Sequence, residues 1–93
     1  MFMYSVYILY SKKFDKIHVG YTSNLSERLL SHNQLANRGW TIKYRPWTVV
    51  YCEEFRTKEE ATIRERQLKT AKGREWIWSE IIATGGEAGL TSA

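Results

Sequence analysis

Tyr4-Ser5-Val6-Tyr7-Ile8-Leu9-Tyr10-Ser11, the polar connection Lys12-Lys13-Phe14-Asp15-Lys16, and Ile17-His18-Val19-Gly20-Tyr21-Thr22 decide how this chain is read. Both flanking runs alternate and are rich in β-branched and aromatic residues, the pattern of strands. A five-residue polar link between them predicts a hairpin. Strand side chains alternate between faces. Tyr4, Val6, Ile8 and Tyr10 therefore share one face and Ser5, Tyr7, Leu9 and Ser11 the other. On the second strand Ile17, Val19 and Tyr21 oppose His18 and Gly20. Turning both apolar sets toward a core leaves Tyr7, His18 and Gly20 together on the opposite face.

Outward from the hairpin, Asn24 with Glu27 three positions on predicts a capped helix carrying Leu25, Leu29 and His32, with Arg28 one turn before His32. The stretch 33–45 is polar and contains Gly39, and Pro46 closes it; this predicts a long irregular loop. Trp47–Phe55 alternates again, Trp47, Val49 and Tyr51 against Thr48, Val50 and Cys52, and predicts a third strand. Thr57-Lys58-Glu59-Glu60 is a capping box opening a helix to about Ala71. Lys72-Gly73 reads as its stop. A third helix over about Arg74–Ala83 turns Trp76, Ile77 and Ile81 inward. The expectation is an α+β domain over 1–83, with a three-stranded sheet and about three helices, and a flexible tail over 84–93.

Composition narrows the function classes without choosing one. Ninety-three residues suit one small domain. Fourteen basic against ten acidic residues give +4, a weak bias toward polyanions. Lys12, Lys13 and Lys16 cluster in the turn, while Lys69 stands four residues after Glu65, where an ordinary helix pair would place it. The single Cys52 has no disulfide partner within the chain, and one Cys with two His offers zinc too few ligands. No run approaches the roughly 20 apolar residues of a membrane span. The apolar N-terminal run lacks the basic flank and cleavage site of a signal peptide. A cytoplasmic, reducing setting is expected.

Taken singly, Tyr7, His18, Arg28 and Glu65 each have an ordinary explanation as surface or pairing residues. Their order is what carries information. Val6-Tyr7-Ile8, His18-Val19-Gly20-Tyr21-Thr22, Arg28 and His32-Asn33 on one helix, Arg45-Pro46-Trp47, and Glu60-Ala61 with Glu65 and Leu68-Lys69 follow in sequence. This resembles the GIY-YIG nuclease family, in particular its small stand-alone bacterial members described as excinuclease-like, over roughly Tyr4 to Ile82.

The resemblance implies a three-stranded antiparallel sheet flanked by helices. It also implies a divalent-metal-dependent endonuclease hydrolysing DNA, with repair or recombination as its setting. It assigns Tyr7, His18, Arg28, His32 and Glu65 to catalysis, Glu65 also as ligand of one Mg²⁺ or Mn²⁺ ion. Gly20, Tyr21, Lys12, Lys13 and Lys69 would meet the nucleic acid. Mg²⁺ keeps most of its waters, so one carboxylate can hold it. Arg28 offers a charged fork for a phosphate oxygen.

The second motif departs from the family pattern: His18 stands where a tyrosine is usual. A phenol titrates near 10 and an imidazole near 6.5, so the two differ as proton acceptors. One reading is a working variant with a shifted pH optimum. The other is a catalytically weak or inactive nucleic-acid-binding module of the same fold. A small protein-interaction domain is the third. The retention of Tyr7, Arg28, His32 and Glu65 favours the first.

Overall fold

A computed structural model describes residues 3–35 and 39–84. Three antiparallel strands form one sheet in the order β2-β1-β3, with β1 at Tyr4–Ser11, β2 at Lys16–Thr22 and β3 at Thr48–Phe55. The hairpin expectation is met: Tyr7 pairs with Gly20 and Leu9 with His18. The turn closes with Asp15 in the left-handed region (φ 54°), where its carboxylate accepts from the Tyr10 hydroxyl at 2.8 Å.

β1 is the central strand and both its faces are buried. Val6 and Ile8 join Ile17, Val19, Val50, Ala61, Leu68, Ile77 and Ile81 in the main core. Tyr7 and Leu9 build a second, smaller cluster with Trp47, covered by Leu25, Leu29, Tyr44 and Val49. The face carrying Tyr7, His18 and Gly20 is therefore roofed rather than open to water.

A β-bulge corrects the reading of the third strand. Ile8 pairs with Tyr51 but Leu9 pairs with Val49, so one residue of β3 is extra. An extra residue inverts the alternation beyond it. Tyr51 accordingly packs on the main core beside Val50, while Val49 stays with Trp47 in the second cluster.

The helices follow their caps. Helix α1 (Leu25–Leu30) starts at Asn24, whose side chain accepts from the Glu27 amide, and continues as a wider π-type turn over Ser31–Leu35. The expected irregular loop after it instead contains a 3₁₀ turn, Trp40–Tyr44. Helix α2 (Lys58–Leu68) has both hydrogen bonds of the Thr57–Glu60 capping box and lays Ala61 and Leu68 on the sheet.

α2 ends at Leu68, and α3 (Ala71–Trp76) begins at once from Thr70, continuing as a π-type turn over Ile77–Ile82. The expected stop at Lys72-Gly73 is thus inside α3. Thr70 explains the shift: its hydroxyl oxygen accepts from the Gly73 amide at 3.1 Å and donates to the Gln67 carbonyl at 2.7 Å. Gly73 serves close approach, since a Cβ there would lie 2.2 Å from the Gln67 carbonyl oxygen. Of the expected tail, 85–93 lies outside the described residues.

Candidate active site

The site grows from the paired register of β1 and β2. Because Gly20 faces Tyr7, the phenol can lean across the neighbouring strand. A Cβ on Gly20 would come within 2.5 Å of the Tyr7 hydroxyl. That space is filled by the Tyr7 ring, which is only 2% exposed. His18, two residues before Gly20, places its ring 6.1 Å from the Tyr7 ring.

His32 arrives from the opposite side, on the π-type turn after α1. Its Nε2 lies 3.2 Å from the Tyr7 hydroxyl, and its Nδ1 lies 3.0 Å from Thr41 Oγ1. With the proton on Nδ1, His32 donates to Thr41 and accepts from Tyr7; the other tautomer reverses both. The His18 ring meets His32 edge-to-face at 4.8 Å.

The backbone around His32 is pinned. Arg45 donates to the carbonyls of Ser31 and His32. Asn33 holds the Trp47 backbone on both sides, accepting from its amide at 2.7 Å and donating to its carbonyl at 3.0 Å. The Trp47 indole in turn donates to the Thr41 carbonyl at 2.8 Å. Thr41 therefore joins the histidine to the buried tryptophan.

Burial and neighbouring charges set the protonation states. Burial pushes the Tyr7 phenol up to about 12, with Arg28 opposing and Glu65 adding to the shift. Burial, then the His32, Lys69 and Arg28 charges, brings the His18 imidazole down to about 4. His32 is lowered by burial, Arg28 and Arg45. Near neutral pH all three rings are therefore uncharged, and each neutral imidazole keeps one ring nitrogen that can accept a hydrogen bond.

Arg28 is exposed on α1, and its guanidinium makes no hydrogen bond or ion pair among the described residues. Its charge nevertheless acts on Tyr7, His18 and His32 together. Glu65 comes from α2 with a side chain only 16% exposed, and its Oε2 is paired with Lys69 Nζ at 3.2 Å. These two reach the site electrostatically, Glu65 at Tyr7 and Lys69 at His18.

The structure thus gathers Tyr7, His18, Gly20, Arg28, His32, Glu65 and Lys69 around one locus. Tyr21 is placed elsewhere, packed against the main core on the other face of β2. Lys12 and Lys13 are exposed in the hairpin turn. Thr41 and Trp40 escaped the sequence reading because they lie in a segment with no strand or long-helix periodicity. Asn33, Arg45 and Trp47 were visible as motif residues, but their pinning role was not.

The sequence profile described as "GIY-YIG catalytic domain" matches residues 3–83. The chain belongs to the GIY-YIG family. Among relatives, a UPF0213 protein of Staphylococcus haemolyticus is 38% identical over 65 residues, covering 70% of this chain and 78% of the relative. One from Clostridium perfringens is 38% identical over 64 residues, covering 69% and 68%. The solution NMR structure of a UPF0213 protein from Bacillus halodurans superposes with a TM-score of 0.54 at 27% identity, over 96% of this chain and 93% of that one. This GIY-YIG domain therefore has a nuclease-family fold. Among its described residues no helix is long and apolar enough to cross a membrane.

Nucleases of the GIY-YIG family use a divalent metal. Among the described residues no three His, Cys, Asp or Glu side chains converge on one point. A lone, mostly buried carboxylate paired through one oxygen to a lysine fits an ion that retains its own waters, as Mg²⁺ does. Glu65 is a residue that could hold such an ion.

Proposed function

We propose that this GIY-YIG domain is a divalent-metal-dependent endonuclease that hydrolyses DNA phosphodiester bonds. Nicked, branched or single-stranded DNA is its proposed substrate, with repair or recombination as the setting. The observation that carries the reading is the hydrogen-bonded chain from buried Tyr7 through half-buried His32 to Thr41, under the charge of Arg28.

Hydrolysis needs a water relieved of a proton and positive charge where the phosphoryl oxygens gain density. A phenol held near 12 is a poor free base, but Tyr7 need not become a phenolate. As its hydroxyl oxygen takes a proton from water, its own proton passes to His32 Nε2, while His32 Nδ1–H stays on Thr41. Uncharged His18, at the edge of His32, accepts a hydrogen bond from the same water. Arg28 presents its fork to a non-bridging phosphate oxygen. Glu65 would hold one Mg²⁺ or Mn²⁺, which supplies charge to the phosphate and the leaving 3′ oxygen when bound. Gly20 keeps the space that Tyr7 needs, and Lys69, Lys12 and Lys13 add positive charge for the strand.

Plasmid nicking by purified protein with Mg²⁺ or Mn²⁺ tests the reading. Arg28→Ala and Glu65→Ala should each lower the rate about 10²–10³-fold. Arg28 is exposed, so that variant should melt like the parent. Undiminished nicking in both variants sinks the proposal.

The catalytically weak, DNA-binding alternative draws on His18, whose lowered proton affinity makes it a feeble base. His18→Tyr separates the two. Lowered activity or a moved pH optimum makes the imidazole a working part, whereas activity gained from an inert parent marks decay.

A further inference from the structure

Beside the site runs a ridge of rings that hydrolysis itself does not require. Phe14 in the hairpin turn meets Tyr44 edge-to-face at 5.6 Å. Tyr44 meets Trp40 at 4.8 Å, and Trp40 lies 6.4 Å from His18. Phe14 and Trp40 are 41% and 48% exposed, so two large rings stand at the surface beside the site. Lysines interleave with them: Lys13 Nζ is 5.4 Å from the centre of Phe14 and Lys16 Nζ 5.6 Å from that of Tyr44. The ridge is also fastened to the site. Thr41, next to Trp40, binds both His32 and the Trp47 indole.

Two exposed rings, Phe14 and Trp40, joined by half-buried Tyr44 and interleaved with ammonium groups, run on to a proposed phosphate-cleaving centre and match the two halves of an unpaired strand. Bases stack on the rings and the backbone meets the lysines. A blunt duplex hides its base faces and cannot use the rings. We propose that Phe14, Tyr44 and Trp40 form a stacking platform for unpaired bases next to the scissile phosphate, so that single-stranded DNA is bound in preference to blunt duplex. This rests on the nuclease reading and names its substrate form.

The test is binding, by fluorescence anisotropy of the full chain in EDTA, to a labelled oligodeoxythymidine and to a blunt duplex of equal length. Wild-type protein should bind the oligodeoxythymidine more tightly. Trp40→Ala and, in the turn away from the reacting atoms, Phe14→Ser should each weaken it on the order of tenfold. Trp40→Phe should recover part of the loss, and duplex binding should change less. Thermal melts establish that each variant is folded, and Phe14→Ser decides if Trp40→Ala does not fold.

Unchanged oligodeoxythymidine binding in the folded variants overturns the platform, as does duplex binding at least as tight. If plasmid nicking persists in that case, only the platform falls. If ridge-dependent binding is found but no metal produces nicking, the platform stands and hydrolysis falls. If neither DNA form is bound, a protein-facing ridge is the better account and both proposals fail.

Discussion

The two faces of the sheet are built on different principles although they share β1. The fully buried cluster of the main face is apolar: Val6, Ile8, Ile17, Val19 and Val50 pack against Ala61, Leu68, Ile77 and Ile81, with the Tyr51–Glu53–Arg64 contacts at its margin. The second face has a small buried cluster, Tyr7, Leu9 and Trp47, and above it a web of hydrogen bonds through His32, Thr41 and Asn33. Apolar burial is non-directional and supplies bulk stability. Hydrogen bonds hold donors and acceptors at fixed angles but add little net stability each. One face therefore stabilises the domain, and the other positions a few polar atoms at the cost of burying them.

The largest effect that would sharpen this contrast comes from the main face. Leu68→Ala removes a fully buried side chain and should cost about 2–5 kcal/mol. For a small domain that is a large share of total stability. Denaturant titration should show it, while nicking per folded molecule stays near the parent's. Equal losses in both measurements would break the division between faces.

Next comes Gly20→Ala on the second face. The added Cβ would collide with the Tyr7 hydroxyl and push the phenol from His32. Overpacking of this kind costs about 1–3 kcal/mol. The nicking rate should fall further than stability does. A variant that is destabilised yet fully active per folded molecule would mean that the Tyr7–His32 contact is merely structural.

The smallest effect is a pH slope belonging to the second face. His18 titrates near 4 in the folded protein, below its ordinary 6.5. Between those values the unfolded chain binds the proton more tightly, so stability falls as pH drops from about 6.5 toward 4. Below that range the loss is complete. Discounted for the partial exposure of the ring, His18 should account for about 1–2 kcal/mol of it. The lowered His32 acts with the same sign. Unfolding of wild type and His18→Gln at neutral and acid pH should show a shallower slope in the variant. Identical slopes would place His18 in water rather than in the cluster.

Much of this was legible in the chain because strand parity and helix caps are local. The hairpin sets Tyr7 beside Gly20, and the Thr57–Glu60 capping box appears with both its hydrogen bonds. The errors arose where distant partners overrule local pattern. The bulge between Ile8 and Leu9 moved Tyr51 to the main core. Gly73 looked like a helix stop, yet close packing on the Gln67 carbonyl is what calls for a residue without a Cβ. Tyr21 was expected at the nucleic acid, but its parity with Ile17 and Val19 already pointed it to the core. The 3₁₀ turn carrying Trp40 and Thr41 has too few residues to show a period.

By itself the sequence determined the family, the antiparallel hairpin and the common face of Tyr7, His18 and Gly20, since alternation at a period of two needs only neighbouring residues. Only the tertiary structure decided that this face is covered, that His32 completes its hydrogen bond to Tyr7, and that Thr41 and Trp47 hold the histidine in place. Those contacts join residues far apart in the chain, and burial, which raises the Tyr7 phenol and lowers the imidazoles, exists only once they have come together.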